Sequence, residues 1–491
     1  MLKYFAPLAL LIAAPAYAET PPPPPSAQQQ VVEAELAKAP KGTRFGLLVV
    51  DEAGKVVVAI EPDQRFIPAS NTKMFTTAAA YALLPDMDKP DVEGGTRAML
   101  RAGRKKGAPD VIILGRGDAR MSAAPDCKVD CLASLADAIA AKTKVVGNVV
   151  GDATWFPDQR WSPGMSWNNF GSNDATAASA LNLDGNEMTV KALPGPMGKP
   201  PLLVVPAYVN LDNQATTVPA GGKSRLVLEH TVNSRSFRLY GEIAADAGEW
   251  RERIGVDDPA HFTAWTFSQM LKARGVKVTG NAVASHRLPN LADDPEWRGN
   301  VSMAETTFHE RAITGALTPP PLSDTVVIVN KVSQNHHAEI LVRRLGRTWS
   351  LGSLEDGLAA TRALYDKAGI PREGYDFSDG SGMSTYNRVS PRAGVALLRW
   401  IDTQPWAKAW YASLPIAGVD GTLKRRFVGT PLAGNLIAKT GSLNATNALS
   451  GMFRAASGKR LTFSFFANDV PNGASAIPAM EAVLLVLYAA N

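Results

Sequence analysis

Apolar and polar positions divide the chain into three stretches of different texture. In the first, Val31, Val32, Ala34, Leu36 and Ala39 recur among polar residues, including Glu and Lys, and predict a helix over 27–39. Residues 44–51 and 55–60 read as strands joined by the turn Glu52-Ala53-Gly54. The segment Phe66-Ile67-Pro68-Ala69-Ser70 follows, and then a helix from Asn71 to Leu84. In the second stretch, 86–300, short apolar runs at 111–114, 145–150 and 202–205 alternate with loops rich in Gly, Pro and Asn, which predicts mostly β structure. In the third, helical spacing returns at 302–315, 333–345, 354–368 and 390–403. Strand-like runs at 434–440, 448–454 and 460–467 come next, and an apolar terminal helix at 480–490 closes the chain. Strands and helices at both ends imply one sheet built from 27–85 and 301–491, an α/β (α+β) architecture. The β-rich middle, 86–300, is then an insertion.

Length agrees with that division, because 491 residues exceed what one core ordinarily serves. A formal charge of +5 is small for this length and argues against a dedicated nucleic-acid binder. The basic run Arg101-Ala102-Gly103-Arg104-Lys105-Lys106 reads as a solvated loop rather than a phosphate site. Lys3, the short apolar core at 6–14 and Ala16-Tyr17-Ala18 have the form of a secretory signal peptide over 1–18, which predicts a periplasmic protein. A stiff Pro-rich leader over 19–26 follows. No later apolar run is long enough to span a membrane. Cys127 and Cys131 are the only two cysteines. They could pair across a tight loop in an oxidising compartment or stay as thiols. No Cys/His set accompanies them, so no metal and no cofactor is expected. Trp155, Trp161 and Trp167 in the middle stretch could line a groove for sugar or peptide, although packing is the commoner role of such residues.

The candidate chemistry lies outside the insertion. Ser70-Asn71-Thr72-Lys73 sets a hydroxyl and an amine three positions apart at a helix start, where both fall on one face. A serine hydroxyl becomes a good nucleophile when a neighbouring base takes its proton, and a desolvated lysine can be that base. Helix capping is the plain alternative for Ser70. Lys439-Thr440-Gly441 offers a cation, a hydroxyl and a residue that admits close backbone approach, although a strand end of this composition can be only a turn. Three Ser-x-Asn triplets occur, at Ser166, Ser333 and Ser442. Ser442 overlaps the Lys-Thr-Gly run and Ser166 lies in the β-rich middle, so Ser333-Gln334-Asn335, which opens an amphipathic helix, is preferred.

In that order, Ser70-x-x-Lys73, Ser333-x-Asn335 and Lys439-Thr440-Gly441 resemble the motifs of the penicillin-recognising serine enzymes. The long gap between the first two is similar to that in the class C low-molecular-mass penicillin-binding proteins, the D-Ala-D-Ala carboxypeptidase/endopeptidase family S13 of which penicillin-binding protein 4 is typical. Asp379-Gly380-Ser381-Gly382-Met383-Ser384, Leu414-Pro415-Ile416-Ala417-Gly418-Val419-Asp420-Gly421-Thr422-Leu423 and Ala438-Lys439-Thr440-Gly441-Ser442-Leu443 add to the resemblance.

The resemblance implies the β-lactamase/penicillin-binding-protein transpeptidase fold, an antiparallel sheet flanked by helices, with an insertion of two smaller units. It implies Ser70 as nucleophile, Lys73 as base and Ser333 as proton relay. It gives Asn335 the substrate peptide, Lys439, Thr440 and Gly441 the terminal carboxylate, and Ser70 and Ser442 the oxyanion. Peptidoglycan stem peptides would be the substrate and β-lactams covalent inhibitors. Asp152, in Gly151-Asp152-Ala153-Thr154-Trp155-Phe156, matches the segment whose Asp binds the far amino group of the stem peptide, or it is an ordinary turn residue at a strand end. Thr385 and Asn444 stand where relatives often carry Arg and Gln, which leaves the preferred peptide side chain open. A β-lactamase, a Ser-His-Asp hydrolase using His336 or His337, and a non-catalytic peptidoglycan-binding module are the competing readings.

Overall fold

The computed structural model describes residues 26–102, 107–299 and 313–491. The expected signal peptide, the leader up to residue 25, part of the basic run and residues 302–312 of the expected helix lie outside the described residues. Ser26 already belongs to the fold, because its hydroxyl accepts the Gln29 N–H at 3.1 Å and caps the helix Ala27–Leu36.

Both chain ends build one five-stranded antiparallel sheet. Its strands are β1 (Arg44–Val50), β2 (Val56–Ile60), β3 (Ile437–Leu443), β4 (Thr446–Arg454) and β5 (Arg460–Asn468), in the order β3-β4-β5-β1-β2. β1 reads as an unbroken apolar run because both of its faces are covered. Leu47 and Val49 pack towards the two terminal helices, whereas Leu48 and Val50 pack against Val395 on the opposite side. In β5, Phe463 and Phe465 share the terminal-helix side, and Phe466 belongs to the other core.

The terminal helix Ile477–Ala490 buries Met480, Val483, Leu484 and Leu487, the i, i+3, i+4, i+7 stripe of an amphipathic helix. Burying each such side chain contributes about 1.5–3 kcal/mol. On the opposite face lie the helices Pro391–Asp402 and Thr72–Leu83. Thr72–Leu83 is buried at every position from Thr72 to Tyr81, so it is the central helix of this half.

The middle of the chain is not purely β. Its main sheet is mixed and runs Ala282–Arg287, Val149–Pro157, Asp110–Leu114, Arg97–Arg101, Ile313–Ala316. The helices Leu132–Lys142 and Pro259–Ala273 cover it, with Leu135, Ile139, Phe267 and Leu271 in the shared core. Seven more strands between Glu187 and Gly255 make two small sheets. Ile313–Ala316 corrects the last residues, 313–315, of the helix expected over 302–315. It is a strand paired antiparallel with Arg97–Arg101, because edge pairing outweighs the local helical spacing of a four-residue segment. Cys127 and Cys131 form a disulfide just ahead of the helix Leu132–Lys142. No helix among the described residues is long and apolar enough to cross a membrane.

Candidate active site

Ser70 sits in a single 3-10 turn, Ala69–Asn71, that leads into the helix Thr72–Leu83. Ala69 holds φ +47°, a left-handed conformation that is costly for a residue with a Cβ, and this bend sets Ser70 at the rim of the helix. Ser70 does not act as a side-chain cap. Its Oγ accepts from Lys73 Nζ at 2.9 Å. The same amine donates to Asn335 Oδ1 at 2.6 Å and to the Ser381 carbonyl at 2.5 Å. Lys73 is fully buried, and burial lowers its pKa to about 8 against the raising influence of Asp379, Glu339 and Asp174.

Ser333 lies just outside the helix Asn335–Trp349, at φ +62°. Its Oγ accepts from Lys439 Nζ at 2.9 Å, and the same amine reaches the Thr440 carbonyl at 3.0 Å. Asn335, the first helical residue, donates its amide to the Asp174 carbonyl at 2.8 Å while its Oδ1 serves Lys73. The Lys-Thr-Gly run is neither a turn nor a strand end, because it lies inside β3. There Lys439 is fully buried, and its pKa falls well below the ordinary value through burial and the charge of Lys73. Thr440 Oγ1 lies 2.7 Å from Thr422 Oγ1. A Cβ on Gly441 would come within 2.7 Å of the Pro68 carbonyl, so glycine lets β3 pass close to the serine turn. Asn71 Nδ2 bonds the Lys439 carbonyl at 3.1 Å and ties the two together.

Ser70, Ser333, Asn335, Thr440 and Ser442 line one cleft of about 950 Å3, with Lys73 and Lys439 buried beneath its floor. Thr422, Asp174 and Asn444 also reach this cleft. Asp152 does not line it. Asp152 lies on the strand Val149–Pro157, where its Oδ1 accepts the N–H and hydroxyl of Thr154 at 2.9 and 2.7 Å. Trp155 packs against the insertion core, and Trp161 stacks on Phe170. Trp167 alone of the three is strongly exposed, at 76%. His336 and His337 are buried on the Asn335 helix, and burial lowers the His337 pKa to about 4. Neither lines the cleft, so no Ser-His arrangement forms there.

The turn Asp379–Ser384, noted in the sequence only as a resemblance, closes the back of the site. Asp379 accepts from the Gly382 and Ser384 N–H groups at 2.9 and 2.6 Å and from the Asn387 side-chain amide at 2.6 Å. Glu339 accepts from the Gly380 and Ser381 N–H groups, each at 3.0 Å. Sequence reading missed Glu339, Asp174 and Thr422 as members of the site. A signal for Glu339 was present, because it stands four residues after Asn335 on one helix face.

Known proteins resemble this chain in sequence and in fold. The D-Ala-D-Ala carboxypeptidase 3 (S13) family matches residues 28–294 and 289–490. The D-alanyl-D-alanine carboxypeptidase of Actinomadura sp. strain R39 is 31% identical, covering 98% of this chain and 88% of its own length. D-alanyl-D-alanine carboxypeptidase DacB of Haemophilus influenzae is 24% identical, covering 89% and 88%. The crystal structure of penicillin binding protein 4 from Haemophilus influenzae has the same fold, with a TM-score of 0.79 at 21% identity over 93% of this chain and 99% of that one. The chain therefore belongs to the S13 family of serine-type D-Ala-D-Ala carboxypeptidases.

Proposed function

We propose that the chain acts on peptidoglycan stem peptides in the periplasm through an acyl-enzyme on Ser70, releasing terminal D-Ala as a carboxypeptidase and/or cutting D-Ala cross-links as an endopeptidase. The observation that carries this reading is the Lys73 amine, buried and bonded to Ser70 Oγ at 2.9 Å. Three acceptors surround Nζ. When the amine is neutral, its two hydrogens can stay on Asn335 Oδ1 and the Ser381 carbonyl, and its lone pair then faces the Ser70 hydroxyl. With a pKa of about 8, roughly a tenth of the molecules hold this neutral form at pH 7.

Ser70 Oγ then attacks the carbonyl carbon of the penultimate D-Ala while its proton passes to Lys73. The backbone N–H groups of Ser70 and Ser442 receive the oxyanion. Ser333 Oγ already accepts from Lys439 Nζ, so its own hydrogen is free to pass to the leaving amine as the C–N bond breaks; Ser333 relays to that amine the proton Lys73 took from Ser70, which leaves Lys73 neutral again and Lys439 charged. Lys439 and Thr440 hold the terminal carboxylate, Gly441 leaves room for the substrate backbone, and Asn335 holds the peptide. Water hydrolyses the ester and returns a proton to Ser70. In an endopeptidase cycle the leaving amine belongs to a cross-linking side chain instead of free D-Ala. Asp152 is proposed as a contact for the far amino group of the stem peptide, reached once the substrate extends beyond the Ser70 cleft. β-Lactams place a strained amide at the same point and leave a slowly hydrolysed ester.

Intact-mass measurement after benzylpenicillin, with peptide mapping, tests the reading. One adduct on Ser70 is expected, together with D-Ala release from stem peptides that a Ser70→Ala variant loses. An adduct elsewhere, or fast turnover of penicillin without an adduct, overturns it.

A further inference from the structure

Two of the three acceptors around the Lys73 amine are side chains of the proposed machinery, and the third is the Ser381 backbone carbonyl. A backbone carbonyl is only as well placed as the turn that carries it. That turn is held from one side by Asp379, which gathers its N–H groups, and from the other by Glu339, whose Oε1 receives both Gly380 N–H and Ser381 N–H at 3.0 Å. Glu339 lies one helical turn beyond Asn335, so its carboxylate joins the helix that supplies the second acceptor to the turn that supplies the third.

The fit is close on both sides. A Cβ on Gly380 would stand 2.5 Å from Val342 Cγ2, and a Cβ on Gly382 would stand 1.9 Å from the Ala69 carbonyl and 3.0 Å from Ser70 N. The turn is thus wedged between the Asn335 helix and the backbone of the nucleophile. Glu339 is 4% exposed, and its remaining valences are filled by Arg343 Nη1 and Ser162 Oγ, each at 2.9 Å. Arg343 in turn donates to the Gln159 carbonyl at 2.7 Å, so the insertion takes part in fixing the carboxylate.

We propose that Glu339 is a positioning residue for the general base: it sets the Ser381 carbonyl and Asn335 relative to Lys73 Nζ and supplies negative charge behind the amine. The inference rests on the catalytic reading of Ser70 and Lys73. The charged groups facing Lys73 are Glu339, Asp379, Asp174 and Lys439. Burial raises the Glu339 pKa, but the Arg343 guanidinium and the hydrogen bonds to the carboxylate together outweigh it and leave it lowered, so the carboxylate stays ionised. Removing that charge makes a protonated Lys73 less favourable and lowers its pKa.

Glu339→Gln, assayed by benzylpenicillin acylation from pH 5 to 10, tests the proposal. The expected variant melts cooperatively and still carries its adduct on Ser70. Its acylation rate at saturating penicillin falls about 10- to 100-fold, because the base is displaced by a fraction of an ångström. Its half-saturating concentration stays within about twofold, because Glu339 does not line the cleft. The acid limb of its profile moves about one unit to lower pH. A folded variant with the wild-type rate and profile overturns the proposal.

The double variant Glu339→Gln/Arg343→Met leaves no unpaired buried cation and must show the same loss, so wild-type acylation there also overturns it. If neither variant folds, Glu339 is a folding residue and the proposal falls. An adduct on a residue other than Ser70 in the wild type would instead fail the catalytic reading, which separates the two failures.

Discussion

Two serine–lysine pairs share the cleft, and they are built differently. Ser70, in the 3-10 turn, and Lys73, in the first turn of the helix it leads into, are three positions apart, so their contact is local. Ser333 and Lys439 come from segments 106 residues apart, and their contact exists only once β3 has been laid beside the Asn335 helix. Both amines are buried, yet their surroundings diverge. Lys73 has Asp379, Glu339 and Asp174 to offset burial and stays near pH 8, where an amine can exchange a proton. Lys439 meets burial and the charge of Lys73 with no carboxylate to offset them. One lysine is supplied with a counter-charge by the protein. The other is short of one, and in the proposed function the substrate carboxylate supplies it.

The sharpest test of the first half is Lys73→Met, which keeps the volume and removes the base. Acylation should fall about 1,000-fold with little change in carboxylate binding, measured by stopped-flow with a chromogenic β-lactam. Lys439→Met should break the second half. We expect about a 100-fold loss of kcat/KM on stem peptides, carried mostly by KM. An equal loss in kcat would mean that the two lysines share one task. Ser333→Ala should slow amine departure more than β-lactam acylation, by about tenfold in the ratio of the two rates, because the β-lactam nitrogen leaves under ring strain.

Below pH 8 the acylation rate of the wild type should climb about tenfold per unit as Lys73 loses its proton, and flatten above it. A plateau reached near pH 6 would assign the limb to another group. The smallest effect is proton uptake. A carboxylate arriving at Lys439 raises its pKa, so binding of stem peptide to a Ser70→Ala variant should take up as much as about one proton, read by calorimetry in buffers of different ionisation enthalpy. Zero uptake would mean Lys439 is already charged in the empty cleft.

The two pairs were not equally legible. The contact of Ser70 with Lys73 could be expected from spacing, because i and i+3 meet on a helix, although capping stayed open as the role of Ser70. The partnership of Ser333 with Lys439 was not read from the sequence at all, since nothing local joins a strand to a distant helix start. The sheet strands were legible where both faces are apolar, as in β1 and β5. The helices Leu132–Lys142 and Pro259–Ala273 were missed among short strands and turn-rich loops. The burial of Glu339, Arg343 and Asp379 was hidden for a different reason. Charged side chains ordinarily belong outside, and only the fold shows that these three lie buried beside Lys73.

The edge pairing of Arg97–Arg101 with Ile313–Ala316 has a consequence for what excision of the middle module would do. The chain enters that module and leaves it side by side, so a short link could rejoin the ends. Excision would still not be clean. Arg344 grips Asp91, Ser162 and Gln159 brace Glu339 and Arg343, and a pruned chain would keep its nucleophile while losing the scaffolding behind its base.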